Sequence, residues 1–213
     1  MKTISLTILS VLIPFMLIAK SGNYEKAMTS ALTQLQQSKN VDDFGRAANT
    51  FKRIANAEPD KWLPEYYVAY SYIIMSFIDT TSMAKKDEYL DVASQSIDKI
   101  MESNPEESEI YALRGFLFTA RLVVDAATRG QKYMALSSQD LQKALALNPE
   151  NPRALYMQLS NKIGMDRFFG NDVSKYCESI NQLLKNWDEF NKSPEIYPHW
   201  GKPQVEKMRK NCQ

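Results

Sequence analysis

The chain has 213 residues, of which 44% are hydrophobic and 24% charged, a composition that excludes disordered and collagen-like chains. Its 26 Lys and Arg against 25 Asp and Glu leave a net charge of +1, so it carries no electrostatic footprint for nucleic acid or an anionic membrane surface. Only seven Gly are present, and Ala, Leu, Lys, Glu, Gln and Met are abundant, which favours helices over a turn-rich sheet fold.

The first 21 residues differ from the rest. Lys2 is followed by a mainly apolar run from Ile4 to Ile18, with no charge until Lys20. Ala19 and Ser21 are the small residues expected before a signal-peptide cut, after Ser21 or after Ala19. An uncleaved anchor is the alternative, but a span needs roughly 20 apolar residues, and Pro14 interrupts this shorter run. The sequence therefore predicts a signal peptide over 1–21 and an exported, periplasmic or secreted product with no integral membrane span after cleavage.

Four Xaa-Pro steps punctuate the remainder, at Pro59, Pro105, Pro149 and Pro194, spaced by 46, 44 and 45 residues. Such regularity asks for a repeat reading. Ahead of Pro59 stand Phe44, Ala47, Phe51 and Ile54. Leu90, Ala93, Ile97 and Ile100 hold the same offsets before Pro105, and Met134, Ser137, Leu141 and Ala144 before Pro149. Steps of three, four and three make one apolar stripe on a helix, with a small residue at a constant level. Each helix should end near its proline, because the preceding residue is pushed out of the α region. The same offsets before Pro194 give Ser179, Gln182, Asn186 and Glu189, an atypical terminal unit. In chain order, helices are predicted near 23–38, 41–57, 64–79, 84–103, 107–128, 131–147, 152–168 and 172–191, with Gly130 and Gly170 as stops. No segment alternates with period two, so no sheet is predicted.

These stripes resemble the second-helix signature of tetratricopeptide (TPR) repeats. Tyr67 with Ser71, and Tyr111 with Gly115, match the first-helix aromatic and small positions; Leu155 and Leu159 depart from them. The period also exceeds the family's value of about 34 residues, a feature shared with armadillo and HEAT repeats. The resemblance covers roughly residues 41–168. It implies an all-α, right-handed superhelical stack of about four antiparallel helix hairpins over 22–192, with 193–213 as a capping tail. Pro198-His199-Trp200-Gly201 is similar to the ends of small exported bacterial TPR-like proteins.

The resemblance further implies a concave groove for a protein or peptide partner. Its positions carry over as Glu65, Tyr72 and Met75, then Glu109, Phe116 and Thr119, then Arg153, Tyr156 and Ile163. As an exposed groove position, Glu109 is expected to tolerate alanine within about ±0.5 kcal/mol. A structural role in a cell-envelope assembly and an uncharacterised enzyme are the alternatives. The aromatic cluster Trp62, Tyr66, Tyr67, Tyr70, Tyr72 and Phe77 reads mainly as interhelix contact, with a groove lining as its functional reading.

No catalytic, metal or cofactor site emerges. His199 is the only histidine, which removes zinc sites needing two His. Ser82-Met83-Ala84-Lys85 and Ser96-Ile97-Asp98-Lys99 fit Ser-x-x-Lys but lack the partner motifs of the penicillin-binding enzymes. The expectation is a binding protein, not an enzyme, with no cofactor and no nucleic acid. Cys177 and Cys212 are expected to pair in an oxidising compartment, with the return of the chain over Gln204 to Lys210 bringing them together and Trp200 laid across the open end of the stack. A free buried Cys177 with a frayed terminus is the alternative.

Overall fold

A computed structural model describes residues 13–212, with side chains from residue 22 onward. Most of the expected signal peptide, residues 1–12, lies outside the described residues. Among the described residues there are nine α-helices and no strand. They are α1 (Ile13–Gln37), α2 (Val41–Ala57), α3 (Trp62–Ile78), α4 (Met83–Ser103), α5 (Ser108–Val124), α6 (Ala126–Leu147), α7 (Pro152–Phe168), α8 (Cys177–Phe190) and α9 (Lys202–Lys210). α1 runs through both candidate cleavage positions, Ala19 and Ser21. No described helix is long and apolar enough to cross a membrane.

The prolines do what their spacing implies. α2, α4 and α6 each stop two residues before Pro59, Pro105 and Pro149. The residue between closes the last turn: the amides of Glu58, Asn104 and Asn148 donate to the carbonyls of Ile54, Ile100 and Ala144. α3 starts at Lys61 without a side-chain cap, whereas α4, α5 and α7 start on one. Asn151 accepts from the amides of Arg153 and Ala154, with Pro152 in the first turn, and Ser82 accepts from Lys85. Such caps satisfy N–H groups that the helix cannot.

The stripes form the core. Phe51, Ala47, Leu90, Ala93 and Ile97 are fully buried together with Tyr66, Ile73 and Leu113. The small positions bring backbones close. Ser137 Oγ donates to the Gly115 carbonyl at 2.8 Å, and a Cβ on Gly115 would lie 2.8 Å from Leu141. No side chain larger than hydrogen fits there without shifting the Leu141 side chain. α2 packs on α3, α3 on α4 and α5 on α6, and among the odd-numbered helices α5 also meets both α3 and α7. α3, α5 and α7 thus share a face.

Two boundaries differ from the sequence reading. The break between α5 and α6 falls at Asp125, not at Gly130, which lies inside α6. Asp125 caps the new helix by accepting from the amide and hydroxyl of Thr128, a side-chain signal stronger than a glycine that needs no special φ. The helix expected from 172 begins at Cys177 after a 3-10 turn over Ser174–Tyr176. Asp172 holds that turn by accepting from the amide and hydroxyl of Ser174. Gly170 does end α7, at φ +72°, a left-handed conformation that glycine adopts at no steric cost.

Candidate functional site

α3 carries Trp62, Tyr66, Tyr70 and Phe77 on one stripe, the spacing that stacks side chains along a helix. Phe116 of α5 and Tyr156 of α7 extend this aromatic surface sideways, and the C-terminal tail then lies down on it. Trp200 stacks on Phe116 with centroids 5.2 Å apart and on Tyr70 at 5.6 Å, and meets Tyr156 edge-on at 6.3 Å. Phe77, itself 39% exposed, continues the column by stacking on Phe116 at 5.4 Å. Tyr197 meets Trp62 edge-on at 5.7 Å. Offset-stacked and edge-on pairs at these separations are the favoured geometries of aromatic quadrupoles.

Polar contacts fix the tail in register. The Trp200 indole N–H donates to the Tyr66 hydroxyl at 2.8 Å, and the Tyr67 hydroxyl donates to the Ile196 carbonyl at 3.1 Å. Gly201 turns the chain at φ +108°, and a Cβ there would sit 2.9 Å from Trp187 and 3.3 Å from Tyr156. Only glycine meets both demands, so Gly201 sets where Trp200 points. Beyond it, α9 buries Val205 against Trp187 of α8, and Cys177 and Cys212 form a disulfide with Cα atoms 5.7 Å apart. The expected bridge is therefore present.

A charged relay anchors the start of the tail. Arg153, 2% exposed, donates through Nε and Nη2 to Glu109, 6% exposed, at 2.7 and 2.6 Å. Asn151 donates to the same carboxylate at 2.9 Å. The remaining Arg153 Nη1 donates to Asn191 Oδ1, and the Asn191 amide meets His199 Nδ1. His199 Nε2 faces the Pro194 carbonyl at 3.2 Å, so both ring nitrogens are engaged. Burial pushes the Glu109 carboxyl up, against the lowering effect of Arg153.

A cavity of about 290 Å³ opens beside Trp200. Tyr67, Tyr70, Phe44, Tyr197 and Trp200 supply rings, Leu32 and Leu35 of α1 supply apolar wall, and Glu195 and His199 stand among its polar lining. Burial pushes the hydroxyls of Tyr66, Tyr67, Tyr70 and Tyr156 above the ordinary tyrosine range. These phenols stay neutral, so the surface offers flat rings and hydroxyl dipoles in place of anions.

The groove residues taken from the TPR resemblance separate into two groups. Phe116 and Tyr156 stand on the aromatic face against Trp200. The others turn elsewhere. Glu65 pairs with Lys99 at 2.6 Å, Tyr72 leans on Tyr89, both of α4, and Met75 and Ile163 are buried. Thr119 bonds Ser137 and Asn161. Glu109 and Arg153 are buried partners rather than exposed contacts, because two opposite charges on adjacent helices desolvate together more cheaply than apart. The tail also lies differently from the sequence reading: Trp200 sits on the face shared by α3, α5 and α7, not across an open end of a stack. The rings of α3 were visible in the sequence as a cluster. Their partner in the tail was not, since nothing local links Tyr66 to Trp200.

No protein-family model matches the chain, and no curated protein matches it. Among solved structures, the chain is similar to the HusA haemophore from Porphyromonas gingivalis, with a TM-score of 0.77 and 29% sequence identity. The similarity covers 89% of this chain and 92% of that one.

Proposed function

We propose that this protein is an exported carrier that binds a planar tetrapyrrole of the haem class on the aromatic face around Trp200, acting by binding and not by catalysis. The observation that carries the reading is the set of flat, neutral rings that α2, α3 and the tail gather around one cavity, with Phe116 and Tyr156 packed against Trp200 beside it, in a chain that resembles a haemophore over nearly its whole length. A porphyrin is an apolar disc, and ring faces held in register by the Trp200–Tyr66 bond offer it contact area at little entropic cost. The disulfide supports export, since such bridges persist in oxidising compartments. His199 has both nitrogens occupied by Asn191 and Pro194, so stacking rather than an iron–imidazole bond carries affinity in this reading.

The test is a titration of the disulfide-bonded protein with haem and, separately, with iron-free protoporphyrin, followed by porphyrin absorbance and tryptophan fluorescence. Both ligands are expected to bind and to quench Trp200. Trp200→Ala is expected to weaken both by about tenfold, which corresponds to about 1.4 kcal/mol, while circular dichroism confirms that the variant stays helical. Unchanged affinity in folded Trp200→Ala would remove the site, and binding of haem without protoporphyrin would remove the stacking argument.

A protein or peptide partner on the same face is the second reading, favoured by one observation. The tail already lies there with its Ile196 carbonyl accepting from Tyr67, as the main chain of a TPR-bound peptide would. Competition between an added tail peptide and protoporphyrin separates the two readings.

A further inference from the structure

The chain holds one histidine, His199, and its hydrogen bonds decide which form of the ring the docked tail can carry. Nε2 faces the Pro194 carbonyl at 3.2 Å. A carbonyl oxygen only accepts, so Nε2 carries the hydrogen. The same carbonyl accepts from the Tyr197 backbone amide at 2.8 Å, and the two bonds close the loop that presents Tyr197 and Trp200. Nδ1 meets the carboxamide nitrogen of Asn191. That carboxamide is not free to turn over. Its Oδ1 accepts from Arg153 Nη1, and a guanidinium only donates, so the NH2 group is what points at His199. Nδ1 therefore accepts. One species alone meets both demands, the neutral imidazole with its hydrogen on Nε2.

A proton added at Nδ1 sets N–H against N–H. Turning the carboxamide over relieves that contact and sets its NH2 against the guanidinium instead. Sharing Oδ1 between both donors draws two cations onto one neutral oxygen. Every arrangement loses a bond or brings like charges together. The surroundings offer an imidazolium little in return. α7 faces it with Arg153, whose charge is answered by Glu109 of α5 on the far side. At the end of α8, Glu189 is paired with Lys192 at 3.8 Å, and Asp188 with Lys202 of α9 at 2.6 Å. α3 offers Tyr67 and Tyr70, whose hydroxyls burial holds neutral. α1 contributes the uncharged Gln36 and Ser38 to the shared cavity, with Lys39 next in the chain. Glu195, exposed on the tail itself, is the acid that lines this cavity with His199.

We infer that Asn191 and His199 are positioning residues that hold Trp200 on the aromatic face only while His199 is neutral. Asn191 is the member that cannot give way. It ends α8 by donating its backbone amide to the Trp187 carbonyl at 2.9 Å, so the mismatch falls on His199. The peptide bond to Trp200 passes the shift to a ring whose indole N–H donates to the Tyr66 hydroxyl. The docked tail thus binds one proton fewer than the released tail. Docking therefore strengthens as pH rises, and is lost as pH falls through the histidine range of about pH 8 to 5. The consequence for a ligand, weaker capture of a tetrapyrrole in an acid medium, rests on the carrier reading. The movement of Trp200 does not.

The experiment uses the whole oxidised protein, labelled with 15N and free of ligand. His199 is the sole histidine, so its ring nitrogens are assigned at once, and Trp200→Phe identifies the Trp200 indole resonance. At about pH 8 the ring is expected as the Nε2–H tautomer. On acidification the indole resonance should move with the midpoint of the His199 ring. Asn191→Asp should invert the response, because the new carboxylate accepts from Arg153 and from a protonated Nδ1 together. His199→Gln should abolish the response, and Glu195→Gln should keep it. Protoporphyrin affinity should fall about two- to tenfold more in the parent than in His199→Gln on going from pH 8 to the acid end, the range for one lost hydrogen bond; the comparison cancels the ligand's own titration. The inference is overturned by an Nδ1–H tautomer at high pH, by an indole resonance that ignores the His199 midpoint, or by an Asn191→Asp response of the same sign as the parent's. If Trp200 moves as expected while protoporphyrin affinity is indifferent, the positioning role stands and the tetrapyrrole site is removed from Trp200.

Discussion

Removing one carboxylate, Glu109, tests the interior electrostatics most directly. In the folded chain Glu109 accepts two bonds from Arg153 and one from Asn151, and both charged partners are buried. Asn151 keeps a second acceptor in Ser108, and Arg153 keeps Asn191, but the guanidinium loses the one ion-pair partner it has among the described residues. Breaking a buried pair in this way costs about 3–5 kcal/mol, because an uncompensated charge is left out of water. For a domain of this size that lowers the melting temperature by roughly 6–20 °C. Glu109→Ala, unfolded by urea and by heat under circular dichroism, should show the loss. The double variant Glu109→Leu with Arg153→Met should recover most of it, since no buried charge then remains. Because Arg153 also holds Asn191 and through it His199 and the tail, Glu109→Ala should shift Trp emission to longer wavelength before global unfolding. A Glu109→Ala melt within about 0.5 kcal/mol of the parent, the behaviour of an exposed residue, would refute the buried pair and restore the groove position read from the TPR pattern.

Phe51 is fully buried and stacks on Tyr67 at 5.0 Å, so Phe51→Ala should cost about 3–5 kcal/mol in a urea melt. Thiol labelling of the denatured, unreduced protein should find neither Cys177 nor Cys212 reactive, and reduction, by opening a loop of sequence separation 35, should cost about 3–4 kcal/mol. Asp166 is held below its ordinary value of 3.8 by Lys175 first, then by Tyr176 and Asn171. A depressed folded value adds stability above the unfolded value that is lost as pH falls through the folded one. Melting temperature should therefore decline below about pH 4, and Asp166→Asn should flatten that decline; an unchanged acid slope would count against the contact.

The helical architecture was legible because its determinants are local. A stripe such as Phe44, Ala47, Phe51 and Ile54 is read within one helix, and the stop at Ala57 within two residues of Pro59. The break at Asp125, expected near Gly130, shows the limit of the same logic. Gly130 attracted the boundary because glycine often follows a helix, yet the energy of a start lies in satisfying free N–H groups, and Asp125 does that through Thr128. The two groove positions that stayed on the aromatic face, Phe116 and Tyr156, are large rings. Glu109 and Arg153, charged and opposite in sign, found each other across 44 positions of sequence, a pairing that no helical period encodes.

The aromatic face has the same character at longer range. Tyr66 and Trp200 are separated by 134 positions, so the bond between them depends on where the tail returns and not on any motif. That return is constrained at three points with independent chemistry: the Arg153–Asn191 bond at its start, Gly201 at its turn, and the Cys177–Cys212 bridge at its end. Two of these three residue types, the glycine and the cysteines, stand out in the sequence, and the expected pairing of the cysteines, with a helical return over Gln204 to Lys210, is what places α9 beside α8. Between two fixed ends a segment as short as 191–201 has few paths. Its large apolar side chains, Ile196, Tyr197 and Trp200, then settle on the nearest unpaired apolar stripe, which α3 supplies through Trp62, Tyr66 and Tyr70. The site is thus a consequence of chain closure. A helix face left with more rings than its neighbours can cover is completed by the tail that the disulfide returns to it.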